Sequence, residues 1–147
     1  MYFLVFLIDD QQFAFDLSTI ERVIPVVELT SLPNAPKECM GAINMHGSVI
    51  PAIDMRKTLN LPGREIDLSD HLLICTVFQH KVALWIDSVK KVINISKEDL
   101  IEASQVFPNV RGMEYVIKDA GQLILVFDIN TLLPIEAISA TMQATHI

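Results

Sequence analysis

The sequence predicts a mainly β protein built from two similar small barrels. Three observations carry that expectation. Apolar runs of strand length recur between polar, glycine or proline turns. One stretch, Gly41–Arg56 (GAINMHGSVIPAIDMR), combines a bend, a corner and a helix cap. The order of these features returns later in the chain, as in an internal repeat.

Taken in order, Tyr2–Ile8 (YFLVFLI) reads as a buried strand. It lacks a basic flank and runs into Asp9-Asp10, so it is not read as a targeting segment. A polar turn, Asp9–Gln12, leads to a strand at Phe13–Leu17. Ile20–Val27 continues extended into the loop Leu32-Pro33-Asn34-Ala35-Pro36. In the central stretch, Gly41 and Gly47 suit backbone angles that a Cβ forbids. Val49, Ile50, Ala52 and Ile53 read as a buried strand, and Pro51 places it at a barrel corner or sheet edge. Asp54 can cap a helical turn at Met55–Leu59. A polar connector, Asn60–Asp70, holds Pro62 and Gly63. Leu72–Phe78 is a strand, Gln79-His80-Lys81 a turn, and Val82–Ile86 and Val89–Ile95 are strands. Ser96-Lys97-Glu98-Asp99 resembles a capping box. A loop with Pro108 leads to Gly112, and Leu123–Asp128 is the last clear strand. Pro134 suits the first residue of a C-terminal helix, with Ile135, Ile138 and Met142 on one stripe.

The two halves echo each other. Phe13, Phe15, Ile20, Arg22, Val23, Ile24 and Val26 match Val82, Leu84, Val89, Lys91, Val92, Ile93 and Ile95 at a separation of 69 residues. Gly41 and Gly112 lie 71 apart, and Asp54 and Asp128 lie 74 apart. Each of these aspartates ends an apolar strand and opens a short helical pattern that closes on leucine.

Composition narrows the function. A chain of 147 residues, 51% of them apolar, forms one domain or two lobes sharing a core. A net charge of −7 opposes a phosphate-backbone binder, and Phe13, Phe15, Phe78 and Trp85 read as core rather than as a stacking platform. A nucleic-acid-binding small barrel is therefore the weaker reading. Cys39 and Cys75 form no disulfide framework and fit a reducing compartment. With His46, His71 and His80 they match no common zinc spacing, so no metal or other cofactor is expected. There is no phosphate loop, nucleophile elbow or metalloprotease helix, and hence no catalytic candidate. Asp54, Asp87 and Asp128 read as turn and cap residues.

The central motif Gly41, Asn44, His46, Gly47, Pro51, Asp54, Met55, Arg56, the segment Ala83–Val89 and the ending Leu123–Leu133 together resemble the CheW family of chemotaxis coupling proteins. The resemblance spans roughly residues 1 to 135. It implies two intertwined five-stranded barrels of SH3-like or OB-like type, with short helices and a groove between the lobes. Read with the repeat, residues 1–147 form a single domain, with lobes at about 13–70 and 82–133 and flanking strands exchanged. It further implies a cytoplasmic, non-enzymatic adaptor joining the cytoplasmic tip of a chemoreceptor to the regulatory domain of a CheA-type histidine kinase, without nucleic acid or membrane insertion. The partner-face candidates are Ile20, Arg22, Asn44, His46 and Arg56. Gly41, Gly47, Pro51, Asp54, Gly112 and Asp128 are expected to be structural. His46 stands where the family usually has arginine, Arg22 where an acidic residue is common, and Ala83 where glycine is frequent. A divergent member serving a pilus or another signalling array is the alternative reading.

Overall fold

An apolar run without alternation is satisfied only by a strand covered on both faces. The computed structural model, which describes residues 1–133, places the first run in that setting. The strands are β1 (Tyr2–Ile8), β2 (Gln11–Asp16), β3 (Ile20–Pro25), β4 (Cys39–Met45), β5 (Ser48–Asp54), β6 (His71–Val77), β7 (His80–Ile86), β8 (Ser88–Asn94), β9 (Ile101–Glu102), β10 (Met113–Asp119) and β11 (Gln122–Phe127). Helix among the described residues is limited to α1 (Met55–Thr58), α2 (Ile129–Leu132) and single 3-10 turns. The helix expected from Pro134, with its stripe of Ile135, Ile138 and Met142, falls outside the described residues.

The strands form a sheet of order β8-β1-β2-β11-β10-β9 and a second of order β3-β6-β7-β5-β4. The exchange between halves is reciprocal. β1 runs antiparallel to β8 and β2 parallel to β11. In the same way β6 runs antiparallel to β3 and β7 parallel to β5. Each half therefore lends its first hairpin to the sheet of the other half.

Two closed five-stranded barrels were expected, and the pairing differs. Among the described residues one sheet has six strands and the other five, and neither is closed by strand pairing. The sixth strand, β9, is two residues long and pairs with β10 at Tyr115 and Val116. Its counterpart in the other sheet is a single bridge, with Thr30 N–H donating to Ala42 O at 2.9 Å and Ala42 N–H to Thr30 O at 2.8 Å. The chain leaving β3 or β8 thus returns to the far side of its sheet for only one or two residues, too few to close a barrel.

Both faces of the shared hairpins are buried. Leu4, Phe6 and Ile8 of β1, Phe13 and Phe15 of β2, and Leu73, Cys75 and Val77 of β6 enter the main core together with α2 residues. Phe3, Val5 and Ala14 turn to a second core with Ile117, Ile124 and Val126. Leu72, Ile74, Ala83 and Trp85 turn to a third with Ile43, Ile50 and Ala52. Burying a large apolar side chain contributes about 2 kcal/mol, so these runs anchor both sheets.

Among the described residues, the four tight hairpins use two-residue turns in which both residues have positive φ: Asp9-Asp10, His46-Gly47, Phe78-Gln79 and Ala120-Gly121. Phe78 is therefore a turn residue, 65% exposed, not the core residue expected at the end of Leu72–Phe78. The turn read at Gln79-His80-Lys81 moves back to Phe78-Gln79, and His80 already belongs to β7. Val49, expected buried, is exposed because it opens β5 beside the His46-Gly47 turn, before the strand enters the core at Ile50. Pro51 lies in a strand flanked on both sides, not at an edge. It is tolerated because pairing with β7 begins only at Ala52. Ser96 makes no side-chain cap, although Lys97–Asp99 does form a 3-10 turn. Gly112 corresponds to Glu38 rather than to Gly41: the carbonyls of Glu38 and Gly112 accept from the backbone N–H of Asp54 and Asp128 at 2.7 and 2.8 Å.

Gly47 has φ +83, yet an added Cβ would meet nothing within 4 Å. Its cost of substitution is backbone strain alone. Gly47→Val is expected to destabilise by about 1–2 kcal/mol and Gly47→Asn by far less, because asparagine tolerates the left-handed region. Thermal melts check this, and an unchanged midpoint for the valine variant would remove the structural role.

Candidate functional site

The proposed partner face divides between two strands. β3 and β4 are opposite edges of the five-stranded sheet, with β6, β7 and β5 between them. On β3, Ile20 is half-buried against the main core and Arg22 is exposed. Next to it, Glu21 accepts from Lys81 Nζ at 3.3 Å. On the other edge, Asn44 is exposed on β4 opposite Val49. His46 is exposed at the following turn with φ +53. Strand pairing does not bring Ile20 and Arg22 beside Asn44 and His46.

The residues assigned structural places sit in strands, turns and caps. Gly41 has φ +144 and faces the Thr30 carbonyl. Asp54 Oδ1 accepts from the backbone N–H of Arg56 and Lys57 at 2.9 and 3.3 Å, which opens α1. Asp128 accepts from Asn130 N–H at 3.1 Å and from the Thr131 hydroxyl at 2.9 Å, which opens α2. Gly112 passes close to the backbone of Leu132.

Arg56 departs from the expected role of a partner contact. It is 2% exposed, and its guanidinium is committed inside the chain. It holds Asp9 through two bonds of 2.8 and 2.7 Å, reaches Asp87 at 3.0 Å and donates to Pro62 O at 3.0 Å. Asp9 belongs to the β1–β2 turn, so this fork ties the six-stranded sheet to the five-stranded one. The hydrogen bond to Asp9, aided by Asp87, holds the Arg56 guanidinium charged above its ordinary value despite burial. The same bond lowers the Asp9 carboxyl.

A second arginine extends the cluster. Arg64 Nη1 and Nη2 donate to Asp70 at 2.8 and 2.7 Å, and Nη2 donates to Asp87 at 2.7 Å. Asp70 is 2% exposed and also accepts from Trp85 Nε1 at 2.9 Å and from Asp67 N–H at 2.8 Å. Both guanidinium carbons lie near the Trp85 ring, at 5.7 and 5.2 Å from its centroid. Burial pushes the Asp70 carboxyl up, but the bonds from Arg64, Asp67 N–H and Trp85 outweigh it and hold it at about 2.

Sequence reading missed Asp9, Arg64, Asp70 and Trp85 as one cluster. The available signal was Trp85 in a buried strand, because its indole N–H requires an acceptor. Chemically the cluster is a neutralising clasp whose carboxylates are occupied by arginines, an indole and backbone donors. Asp54 and Asp128 serve as caps and Asp87 as an ion-pair partner. The Cys75 thiol is buried and pushed up by that burial, the reverse of a nucleophile's setting. Among the described residues, no three His, Cys, Asp or Glu side chains gather in a way that could hold a metal ion.

Comparison with known proteins agrees with this architecture. Residues 2–137 match the family model of the CheW-like domain. The chain is 29% identical over 132 residues to the chemotaxis protein CheW of Thermotoga maritima, covering 88% of this chain and 85% of that protein. It is 25% identical over 136 residues to the chemotaxis protein CheW of Bacillus subtilis, covering 91% and 87%. The crystal structure of the scaffolding protein TtCheW from Thermoanaerobacter tengcongensis superposes with a TM-score of 0.83 at 23% identity, covering 90% of this chain and 92% of that one. Two interlocked β sheets with Asp-capped helical turns, matched over nearly the whole length, place this chain in the CheW-like domain family.

Proposed function

We propose that this chain is a non-enzymatic adaptor of chemotaxis that couples chemoreceptors to a CheA-type histidine kinase. The observation that carries the reading is the CheW-like match across residues 2–137. The relatives named above are called chemotaxis proteins, which does not favour the pilus-array alternative. The described residues contain no helix long and apolar enough to cross a membrane. A cytoplasmic adaptor recruited to receptor arrays fits that observation.

In this reading the kinase regulatory domain and the receptor tip are bound by side chains on the surface of a stiff two-sheet body. Ile20, Arg22, Asn44 and His46 are the proposed contacts. Arg56 is withdrawn from that set because it serves the clasp. A few central residues carry most of the binding energy, at about 2 kcal/mol or more each. Signalling is then a change in partner position that biases a kinase equilibrium through differential contacts.

The test is a pull-down against a kinase regulatory domain and a receptor-tip fragment, run separately. Capture of both establishes a coupler, and capture of neither ends the reading. His46→Arg restores the fork that binds a carboxylate at two points. It is expected to tighten receptor-tip binding about fivefold with only a small drop in melting midpoint, since His46 is exposed but sits at φ +53. Equal affinity in a calorimetric titration would remove His46 from the contact face.

A further inference from the structure

The connector between α1 and β6 carries two exposed apolar side chains on a fixed support. Leu68 is 94% exposed and Ile66 is 40% exposed. Single exposed apolar residues are ordinary on protein surfaces. Here, however, the backbone beneath them is pinned. Arg64 grips Asp70 through two bonds, and Asp67 N–H donates to the same carboxylate at 2.8 Å. Asp67 Oδ1 in turn accepts from Ser69 N–H at 2.9 Å and from its hydroxyl at 2.7 Å. Asp70 is anchored to the core strand β7 through Trp85. A leucine held out on such a support loses little chain freedom on contact, which is what a preorganised binding residue needs.

The surroundings select the partner. A concavity of about 600 Å³ opens beside the loop, and Glu65, Asp67 and Asp87 line it together with Arg64. Arg64, Asp70 and Asp87 are paired with one another in the clasp, so the open charge of the rim is that of Glu65 and Asp67 and is acidic. An acidic rim repels anionic lipid and nucleic acid. A second copy of this chain brings a net charge of −7 to the same face. We infer that the connector is a docking surface for a basic amphipathic helix of a partner protein, whose apolar stripe covers Leu68 and Ile66 while a lysine or arginine enters the acidic concavity. This inference stands apart from the receptor and kinase contacts proposed above, which use other residues.

The test uses the full chain, isotopically labelled, with a synthetic helical peptide bearing one leucine face and one lysine face. The expected result is a set of chemical-shift changes concentrated at residues 64–70 and 87–88. Leu68→Ser is expected to weaken binding about tenfold, the loss of one buried leucine side chain. Because Leu68 is so exposed, that variant keeps the parent fold and melting midpoint. Glu65→Lys, also on the open loop, weakens binding through charge. Shifts spread evenly over the surface, unchanged affinity of the Leu68→Ser variant, or equal binding of a control peptide with glutamates in place of lysines would each overturn the inference.

Discussion

Asp70→Ala is expected to lower the free energy of unfolding by about 3 kcal/mol, measured by chemical denaturation at neutral pH. The carboxylate is 2% exposed and serves four donors from three residues. Removing it leaves a buried indole N–H without an acceptor and a guanidinium short of a partner. Asp70→Asn keeps an acceptor for Trp85 but loses the charge, so it costs less. The pH profile separates charge from packing. The folded carboxyl is held at about 2, below its ordinary value of 3.8. Its contribution is therefore complete above the ordinary value and is lost as pH falls towards the folded one. The parent protein is expected to lose about 2 kcal/mol from this group between about pH 5 and pH 2. The asparagine variant should be flatter across that window. Parallel profiles would show that Asp70 holds the connector by shape alone.

Gly41→Ala is the other large effect, again about 3 kcal/mol, with loss of the bridge between Thr30 and Ala42. An added Cβ would stand 2.6 Å from the Thr30 carbonyl oxygen and 3.2 Å from its carbon, both backbone atoms. Backbone cannot swing aside as the end of a side chain can. The φ of +144 adds strain of about 1–3 kcal/mol for a residue bearing a Cβ. Gly47→Ala is the internal control, because that glycine has free space where Gly41 has a carbonyl. If the two alanine variants melt together, close approach at Gly41 is not what requires glycine.

How much of this was readable in the sequence depends on the range of the forces involved. Strands of Tyr2–Ile8 type were legible because continuous apolar runs need two covered faces. The pattern of halves was legible because it rests on side-chain order alone. β10 was missed because Glu114, Tyr115 and Lys118 break its apolar run. Phe78 was misplaced because aromatic residues rarely take positive φ. The clasp was illegible for a different reason. Arg56 meets partners 47 and 31 residues away, and no local pattern records which aspartates will arrive. The same holds for Asp70, which reads as one more polar residue of a connector until Trp85 is set beside it. For Ile20, Arg22, Asn44 and His46, the structure adds what the sequence pattern lacked, their placement on opposite edges of one sheet.

The reciprocal loan of hairpins has a consequence for how the molecule comes apart. If the peptide chain were cut within Asn60–Asp70, neither fragment would own a whole sheet. Each piece would hold the missing half of the other, so the two should be disordered alone and should restore the fold when mixed. In the uncut chain the same interlock leaves no lobe free to melt first, and calorimetry should record one transition. Because each sheet is completed by the other half's hairpin, whatever braces one sheet is expected to brace both.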